Sequence, residues 1–268
     1  MMKVAALCST MNKAASVWAR RTPMACGNRI FDSFVRYSSS SPQGQNVALA
    51  MESLRAADAV CFDVDSTVIN EEGIDVLADY LGKGEQVAAL TKQAMEGGMK
   101  FQDALASRLE LLQPSKDSIH ACLQAHPLQL TPHVDTFIQK LQDQGKKVYL
   151  VSGGFRIMIE PVADLLQIPE SRIYANTIFF HENGLYNGFD KTEPTSADMG
   201  KPRALELIQE KGNYETMVMI GDGATDAQAK PPAKSFIGFG GVAVREKVKN
   251  TADWFVLDFM DLVKVLED

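Results

Sequence analysis

The sequence predicts an α/β protein, a Rossmann-like parallel sheet with a small helical cap domain inserted after the first strand. Three observations carry that reading. From Ala56 onward, short apolar β-prone runs alternate with helix-period segments, as a chain of βαβ units requires. Between the first and second of these runs, residues 74 to 126 hold helix-period apolar residues and no strand pattern. Three of the runs also end directly in a polar cluster, which is where an open parallel sheet gathers its ligand-binding residues.

Taken in order, the chain starts with a segment, residues 1–45, that differs from the rest. Lys3, Lys13, Arg20, Arg21, Arg29 and Arg36 face Asp32 alone, serines are frequent, and Val4, Leu7, Met11, Ala15 and Trp18 share one helical face. A basic, Ser-rich, acid-poor amphipathic start resembles an organelle transit peptide and lacks the apolar stretch of a secretory signal. Arg36-Tyr37-Ser38 resembles a mitochondrial processing site; a plastid presequence shares most of these features, and a disordered cytosolic tail is the plain alternative. Residues 46–73 and 127–268 then form the expected core, with 74–126 as the cap. The strand runs are Ala59-Val60-Cys61-Phe62, Val148-Tyr149-Leu150-Val151, Met217-Val218-Met219-Ile220 and Phe236-Ile237-Gly238-Phe239. The cap pattern breaks at Gly97-Gly98, at Pro114-Ser115 and at Pro127. Residues 173–189 carry Glu182-Asn183-Gly184 between β-prone residues and predict a hairpin. Pro202 suits the first turn of a helix ending near Gly212, and Leu262, Val263 and Leu266 mark the packed face of a last helix.

Composition narrows the function. With 268 residues, 46% hydrophobic and 23% charged, the chain can bury a proper core. A net charge of -7 argues against a nucleic-acid partner, and no apolar run reaches the eighteen residues or so of a membrane span. Cys8, Cys26, Cys61 and Cys122 have neither disulfide-framework nor metal-ligand spacing; Cys61 reads as a core residue, and His120, His126, His133 and His181 as surface or turn residues. Asp58 and Asp75 read as solvated or capping. No Gly-x-Gly-x-x-Gly or Walker lysine motif follows a strand, which disfavours a nucleotide.

The polar clusters are Asp63-Val64-Asp65-Ser66-Thr67, Ser152-Gly153-Gly154 and Gly221-Asp222-Gly223-Ala224-Thr225-Asp226. An Asp-x-Asp pair alone is weak, being compatible with a solvated turn; Gly-Asp-Gly-x-x-Asp is far more specific, and all three follow buried-strand patterns. A fourth element is Lys201, in Gly200-Lys201-Pro202. A lysine at a helix N-terminus opposes the macrodipole, at a cost of roughly 0.3–1 kcal/mol, and an anion there would be attracted by both. Glycines beside Ser152 let the backbone approach such an anion closely. In-line phosphoryl transfer calls for this set of parts, a nucleophile, charge neutralisation and a proton donor for the leaving alkoxide.

Asp63-x-Asp65-Ser66-Thr67, Ser152, Lys201 and Asp222 with Asp226, in that order, resemble the four motifs of the haloacid dehalogenase superfamily of phosphohydrolases. Asp-Val-Asp-Ser-Thr-Val-Ile with Glu-Glu-Gly-Ile-Asp, Ser-Gly-Gly-Phe-Arg and Gly-Asp-Gly-Ala-Thr-Asp resemble its phosphoserine phosphatase family, from about residue 50 to 268. The resemblance implies a hydrolase that converts O-phospho-L-serine to L-serine and phosphate, with Asp63 as nucleophile and Asp65 as acid and base. It implies Mg²⁺ held by Asp63, the main-chain carbonyl of Asp65, and Asp222, with Asp226 behind that shell. Ser152, Gly153, Gly154, Lys201 and Thr225 would then bind the phosphoryl group. Glu72 would bind the substrate ammonium, Arg108 its carboxylate, and Met95 and Phe101 would line the pocket. Arg108 shares a stripe with Phe101, Leu105, Leu109 and Leu112, so without the resemblance it reads equally as an arginine covering apolar surface.

Two alternatives remain from the sequence. A phosphotransferase, or a phosphatase for another small phosphorylated metabolite, would use the same residues. A receiver-like signalling domain also pairs an acidic cluster with a hydroxyl and a lysine, but it explains neither the helical insertion nor Gly221-Asp222-Gly223. The expected partner is a small molecule, with no nucleic acid and no membrane.

Overall fold

A computed structural model describes residues 46–94 and 99–267. The expected presequence, residues 1–45, and the expected pocket residue Met95 lie outside the described residues. Helix α1, Val47–Ala56, starts where the Asn46 side chain accepts the Leu49 amide at 3.2 Å, an N-cap for one of the helix's unpaired donors. Strand β1, Ala59–Phe62, is buried throughout. The chain then enters the insertion, whose described helices are α2 (Gly73–Tyr80), α3 (Gly84–Gln93), α4 (Phe101–Leu112) and α5 (Lys116–Ala125). The Pro114-Ser115 break becomes a helix start, with Ser115 Oγ accepting the Ser118 amide at 3.0 Å. Entry and exit run side by side: Ile69 and Leu130 form an antiparallel bridge, Asn70 N donates to Gln129 O, and Thr131 N donates to Val68 O.

The core continues with α6 (Val134–Asp143), β2 (Lys147–Phe155), α7 (Arg156–Leu165), β3 (Ile173–Asn176) and a hairpin of β4 (Ile178–Phe180) and β5 (Tyr186–Phe189). It closes with α8 (Gly200–Gly212), β6 (Met217–Gly221), α9 (Ala224–Ala227), β7 (Ser235–Phe239), α10 (Glu246–Thr251), β8 (Trp254–Val256) and α11 (Met260–Glu267). The six-stranded sheet has the order β3-β2-β1-β6-β7-β8 and is parallel throughout. From β1 the chain first builds outward through β2 and β3, then returns to add β6, β7 and β8 on the other side. The boundary between β1 and β6 is thus the topological switch point, where a parallel sheet opens its ligand crevice.

Alternation along the strands divides the core into two layers. Val60, Phe62, Val148, Leu150, Val218 and Ile220 face α1, α6, α7 and α11. Ala59, Cys61, Tyr149, Val151, Met217 and Met219 face α8. Phe62, Phe137, Phe239 and Phe259 stack through the first layer, with ring centroids 5.8 Å apart for Phe62 and Phe137 and 4.3 Å for Phe239 and Phe259.

The expected hairpin over 173–189 is shorter in the structure. Only residues 178–189 pair with one another, around a turn at Gly184 with φ +77°. Ile173 and Ala175 are instead buried against the first core layer, and that burial draws β3 into the main sheet as its edge. Strand β8 was not separately expected; it extends the opposite edge. No described helix is long and apolar enough to cross a membrane.

Candidate active site

The three polar clusters meet at the carboxyl edge of the sheet, beside the switch point. Asp63 follows β1, and its Oδ1 accepts the Val64 amide at 2.8 Å, so the carboxylate is fixed where the strand ends. The next turn is a single wide one, closed by Ile69 N donating to Val64 O at 3.0 Å, and inside it Ser66 takes φ +55°. The turn begins at Val64, between the two aspartates, so Asp65 does not share the direction of Asp63 as alternate residues of a strand would. Asp65 Oδ1 accepts the Gly73 amide at 2.7 Å and its Oδ2 accepts the Ser152 hydroxyl at 3.1 Å. Burial, then the Glu72 and Asp63 carboxylates, push Asp65 up to about 7.

Asp63, Asp222 and Asp226 are buried, and each places a carboxylate oxygen within 4.8 Å of the others. Lys201, from the first turn of α8, bridges two of them: its Nζ lies 2.8 Å from Asp63 Oδ1 and pairs with Asp226 Oδ1. Burial works against the Lys201 charge, but Asp226 and Asp63 outweigh it and hold the ammonium well above its ordinary range. Burial, followed by the Asp63 charge, pushes Asp222 up to about 8 and Asp226 up to about 7. Asp226 Oδ2 also accepts the Gly223 amide at 2.8 Å, tying the carboxylate to its own loop. A Cβ at Gly221 would lie 2.3 Å from the Asp226 carboxyl carbon, so the glycine there is required by close approach. Thr225 is exposed beside this loop.

One member of the site escapes the sequence reading. Arg245, between β7 and α10, stands 2.9 Å from Asp222 Oδ2 and 3.4 Å from Glu72 Oε1. The first contact is electrostatic, because Asp222 Oδ2 has no aligned hydrogen-bond donor. Arg245 lies in no polar cluster directly after a strand, and only its place near the strand edge could have drawn attention to it. Asn176, at the end of β3, is likewise unexpected: its Nδ2 donates to Gly153 O at 2.8 Å.

The cap residues converge from above. Glu72 Oε1 accepts the Ser66 hydroxyl at 2.8 Å, and burial raises the Glu72 carboxyl. Arg108 Nε donates to Ala104 O at 3.2 Å. Burial lowers the Arg108 pKa, while the Asp75, Glu72 and Asp65 charges oppose that. Asp75, expected to be solvated or capping, is exposed and also feels Arg108. Phe101 packs over Gly153, where a Cβ would lie 2.9 Å from the ring Cζ. Ser152 is fully buried, donating to Asp65 and accepting the Gly154 amide at 2.8 Å. The four histidines are exposed, and Cys61 is buried in β1.

The donor set is chemically specific. Asp63, Asp65, Glu72, Asp222 and Asp226 meet Lys201, Arg245 and Arg108, an excess of acid over base in a largely buried site. Three clustered carboxylates offer hard oxygen donors, suited to a small divalent cation of the Mg²⁺ type, and such an ion would relieve the burial that raises Asp222 and Asp226. A buried carboxylate against a buried lysine, and a second carboxyl raised by burial, are parts that phosphoryl transfer calls for.

The family model of haloacid dehalogenase-like hydrolases matches residues 57–230. The phosphoserine phosphatase of Bos taurus is 48% identical over 213 residues, covering 80% of this chain and 95% of the relative. The chloroplastic phosphoserine phosphatase of Arabidopsis thaliana is 46% identical over 215 residues, covering 80% and 73%. Among solved structures, a phospho-aspartyl intermediate analogue of phosphoserine phosphatase superposes with a TM-score of 0.67 at 27% identity, covering 77% of this chain and 97% of that one. DsGPDH of Dunaliella salina superposes with a TM-score of 0.71 at 34% identity over 80% of this chain, which spans only 37% of that longer protein.

Proposed function

Because this chain belongs to the haloacid dehalogenase-like hydrolases, we propose that it hydrolyses O-phospho-L-serine to L-serine and phosphate through a phosphoaspartate on Asp63. The observation that carries the reading is the buried cluster of Asp63, Asp222 and Asp226 bridged by Lys201, with Asp65 turned out of it and able to keep a proton at neutral pH.

The Asp63 carboxylate attacks phosphorus in line, forming the Asp63 O–P bond as the P–O bond to the seryl oxygen breaks. Asp65 gives its proton to that oxygen, and serine leaves. Water then attacks the same phosphorus while Asp65 takes its proton, the Asp63 O–P bond breaks, and phosphate is released. The Lys201 ammonium neutralises phosphoryl oxygen charge and keeps Asp63 in place. Ser152 and the Gly153 amide receive the remaining phosphoryl oxygens, with Gly154 beside them holding the Ser152 hydroxyl, and Thr225 closes that side. The Ser152 hydroxyl has one proton to donate, so engaging the phosphoryl group releases Asp65 from it.

Mg²⁺ would be held by Asp63, the main-chain carbonyl of Asp65, and Asp222; bound there, it supplies charge neutralisation on the phosphoryl oxygens. Asp226 orients this set through Lys201 and the Gly223 amide. At the cap side, Glu72 meets the substrate ammonium and Arg108 its carboxylate, with Phe101 as a wall. The resulting enclosure favours a small phosphomonoester over a phosphoprotein. Residues 1–45 would carry an organelle address, mitochondrial by the Arg36-Tyr37-Ser38 pattern; the chloroplastic relative in Arabidopsis thaliana supports a plastid as the runner-up.

Phosphate release from phosphoserine, phosphothreonine, phosphoethanolamine and a phosphosugar, with and without Mg²⁺, tests the reading. Phosphoserine should lead the panel and Mg²⁺ should be required. A phosphosugar turned over faster than phosphoserine would move the function to another metabolite.

A further inference from the structure

The loop that carries Ser152 is held by a line of hydrogen bonds that begins well behind the site. Strand β2 pairs with β3 at Val151↔Tyr174 and again at Phe155↔Asn176, so Ser152, Gly153 and Gly154 stand opposite Ala175 alone. This bulge frees the Ser152–Gly154 backbone from the ladder and aims it at the site. It also removes the regular partner of the Gly153 carbonyl, and the Asn176 side chain replaces it, with Nδ2 donating to Gly153 O at 2.8 Å. Asn176 is fully buried, as is Thr195 nearly so, and the Thr195 hydroxyl donates to Asn176 Oδ1 at 3.1 Å. That second bond fixes which end of the amide faces Gly153.

From there the line continues through a peptide plane. The Gly153 carbonyl and the Gly154 N–H belong to one rigid peptide unit, so holding the first orients the second. Gly154 N donates to Ser152 Oγ at 2.8 Å, and Ser152 Oγ donates to Asp65 Oδ2 at 3.1 Å. Every donor points the same way, from Thr195 through Asn176, the 153–154 peptide and Ser152 to Asp65, an arrangement in which each bond polarises the next. Thr195 is anchored in turn against the lysine-bearing helix, because a Cβ at Gly200 would lie 2.8 Å from Thr195 Cα.

We propose that Asn176, locked by Thr195, is a positioning residue that sets the Ser152 hydroxyl and its loop for the phosphoryl group, and registers that loop against the helix carrying Lys201. The inference rests on the phosphohydrolase reading of the site, and the experiment separates the two.

Orthophosphate binding to the full chain in Mg²⁺ is measured by calorimetry for wild type, Thr195→Val and Thr195→Ser, alongside KM and kcat for phosphoserine and the thermal midpoint. Valine keeps the volume and removes the donor, whereas serine keeps the donor and removes the methyl. Losing one neutral hydrogen bond should weaken orthophosphate binding and raise KM by about 3- to 10-fold in Thr195→Val, with Thr195→Ser between it and wild type. A packing role instead lowers the thermal midpoint, more in Thr195→Ser, which leaves a void, than in Thr195→Val, without moving KM or phosphate affinity. Serine worse than valine, or wild-type affinity in valine with only the midpoint lowered, overturns the inference. Asn176→Asp, which cannot donate to Gly153 O when ionised, should weaken phosphate at least as much as Thr195→Val if it folds; the Thr195 pair decides the matter in either case. Wild type that binds orthophosphate yet leaves phosphoserine intact would overturn the substrate reading while still scoring the Thr195 series.

Discussion

Asp63 and Asp65 are the same residue type two positions apart, and the fold gives them opposite surroundings. Asp63 sits against the Lys201 ammonium, while Asp65 lies by Glu72 with no ion pair among the described residues. Environment alone thus separates the proposed nucleophile from the proposed proton carrier. Asp63→Asn keeps the shape but cannot form an acyl phosphate, so phosphate release should fall by about 10³-fold or more with the thermal midpoint little changed. A variant retaining a tenth of wild-type turnover would remove Asp63 from that role. Arg108 gives a second residue-scale expectation. If it reads the substrate carboxylate, wild type should prefer phosphoserine over phosphoethanolamine by about 10- to 150-fold in kcat/KM, and Arg108→Ala should lose that preference. Equal losses on both substrates would instead mark an arginine that merely packs against the cap.

At the level of elements, the Ser152–Gly154 loop is fitted through glycine, at Gly153 to Phe101 of the cap helix and at Gly154 to the Asp65 turn. A Cβ at Gly154 would lie 2.8 Å from Asp65 Oδ2 and 3.0 Å from Ser152 Oγ. Gly154→Ala should therefore displace Asp65 and lower kcat for phosphoserine more than it lowers the thermal midpoint; a variant with wild-type kcat would show that the loop adapts. The elements of the core were largely legible in the sequence, since buried strands such as β1 and β6 are unbroken apolar runs that end in their motifs. The Pro114-Ser115 cap and the Gly200–Gly212 helix were legible from their punctuation. Strand β3 was not separable from the hairpin, because Ile173 to Phe180 is one β-prone stretch and only packing against β2 decides where it divides. Strand β8 spans three residues, too few for a periodicity to show. Arg245 and Asn176 belong to no strand-end motif, and their roles arise from tertiary proximity to Asp222 and Gly153.

For the whole molecule, the two halves of the sheet bring acids from distant sequence to one edge, and the resulting excess of carboxylates is a cost in the protein alone. A divalent cation that bound only the folded state would offset it, stabilising by about 2.7 kcal/mol at a hundred times its Kd. Mg²⁺ should therefore raise the thermal midpoint of wild type, and Asp222→Asn should shrink that rise; an identical rise in the variant would remove Asp222 from the metal site. The most direct test of the central claim is acid quenching of the enzyme during turnover of phosphoserine labelled in its phosphoryl group, followed by mapping of the label. A hydroxylamine-sensitive phosphoryl group on Asp63, absent from Asp63→Asn, is the expected result. Steady phosphate release with no label on Asp63 would contradict the mechanism.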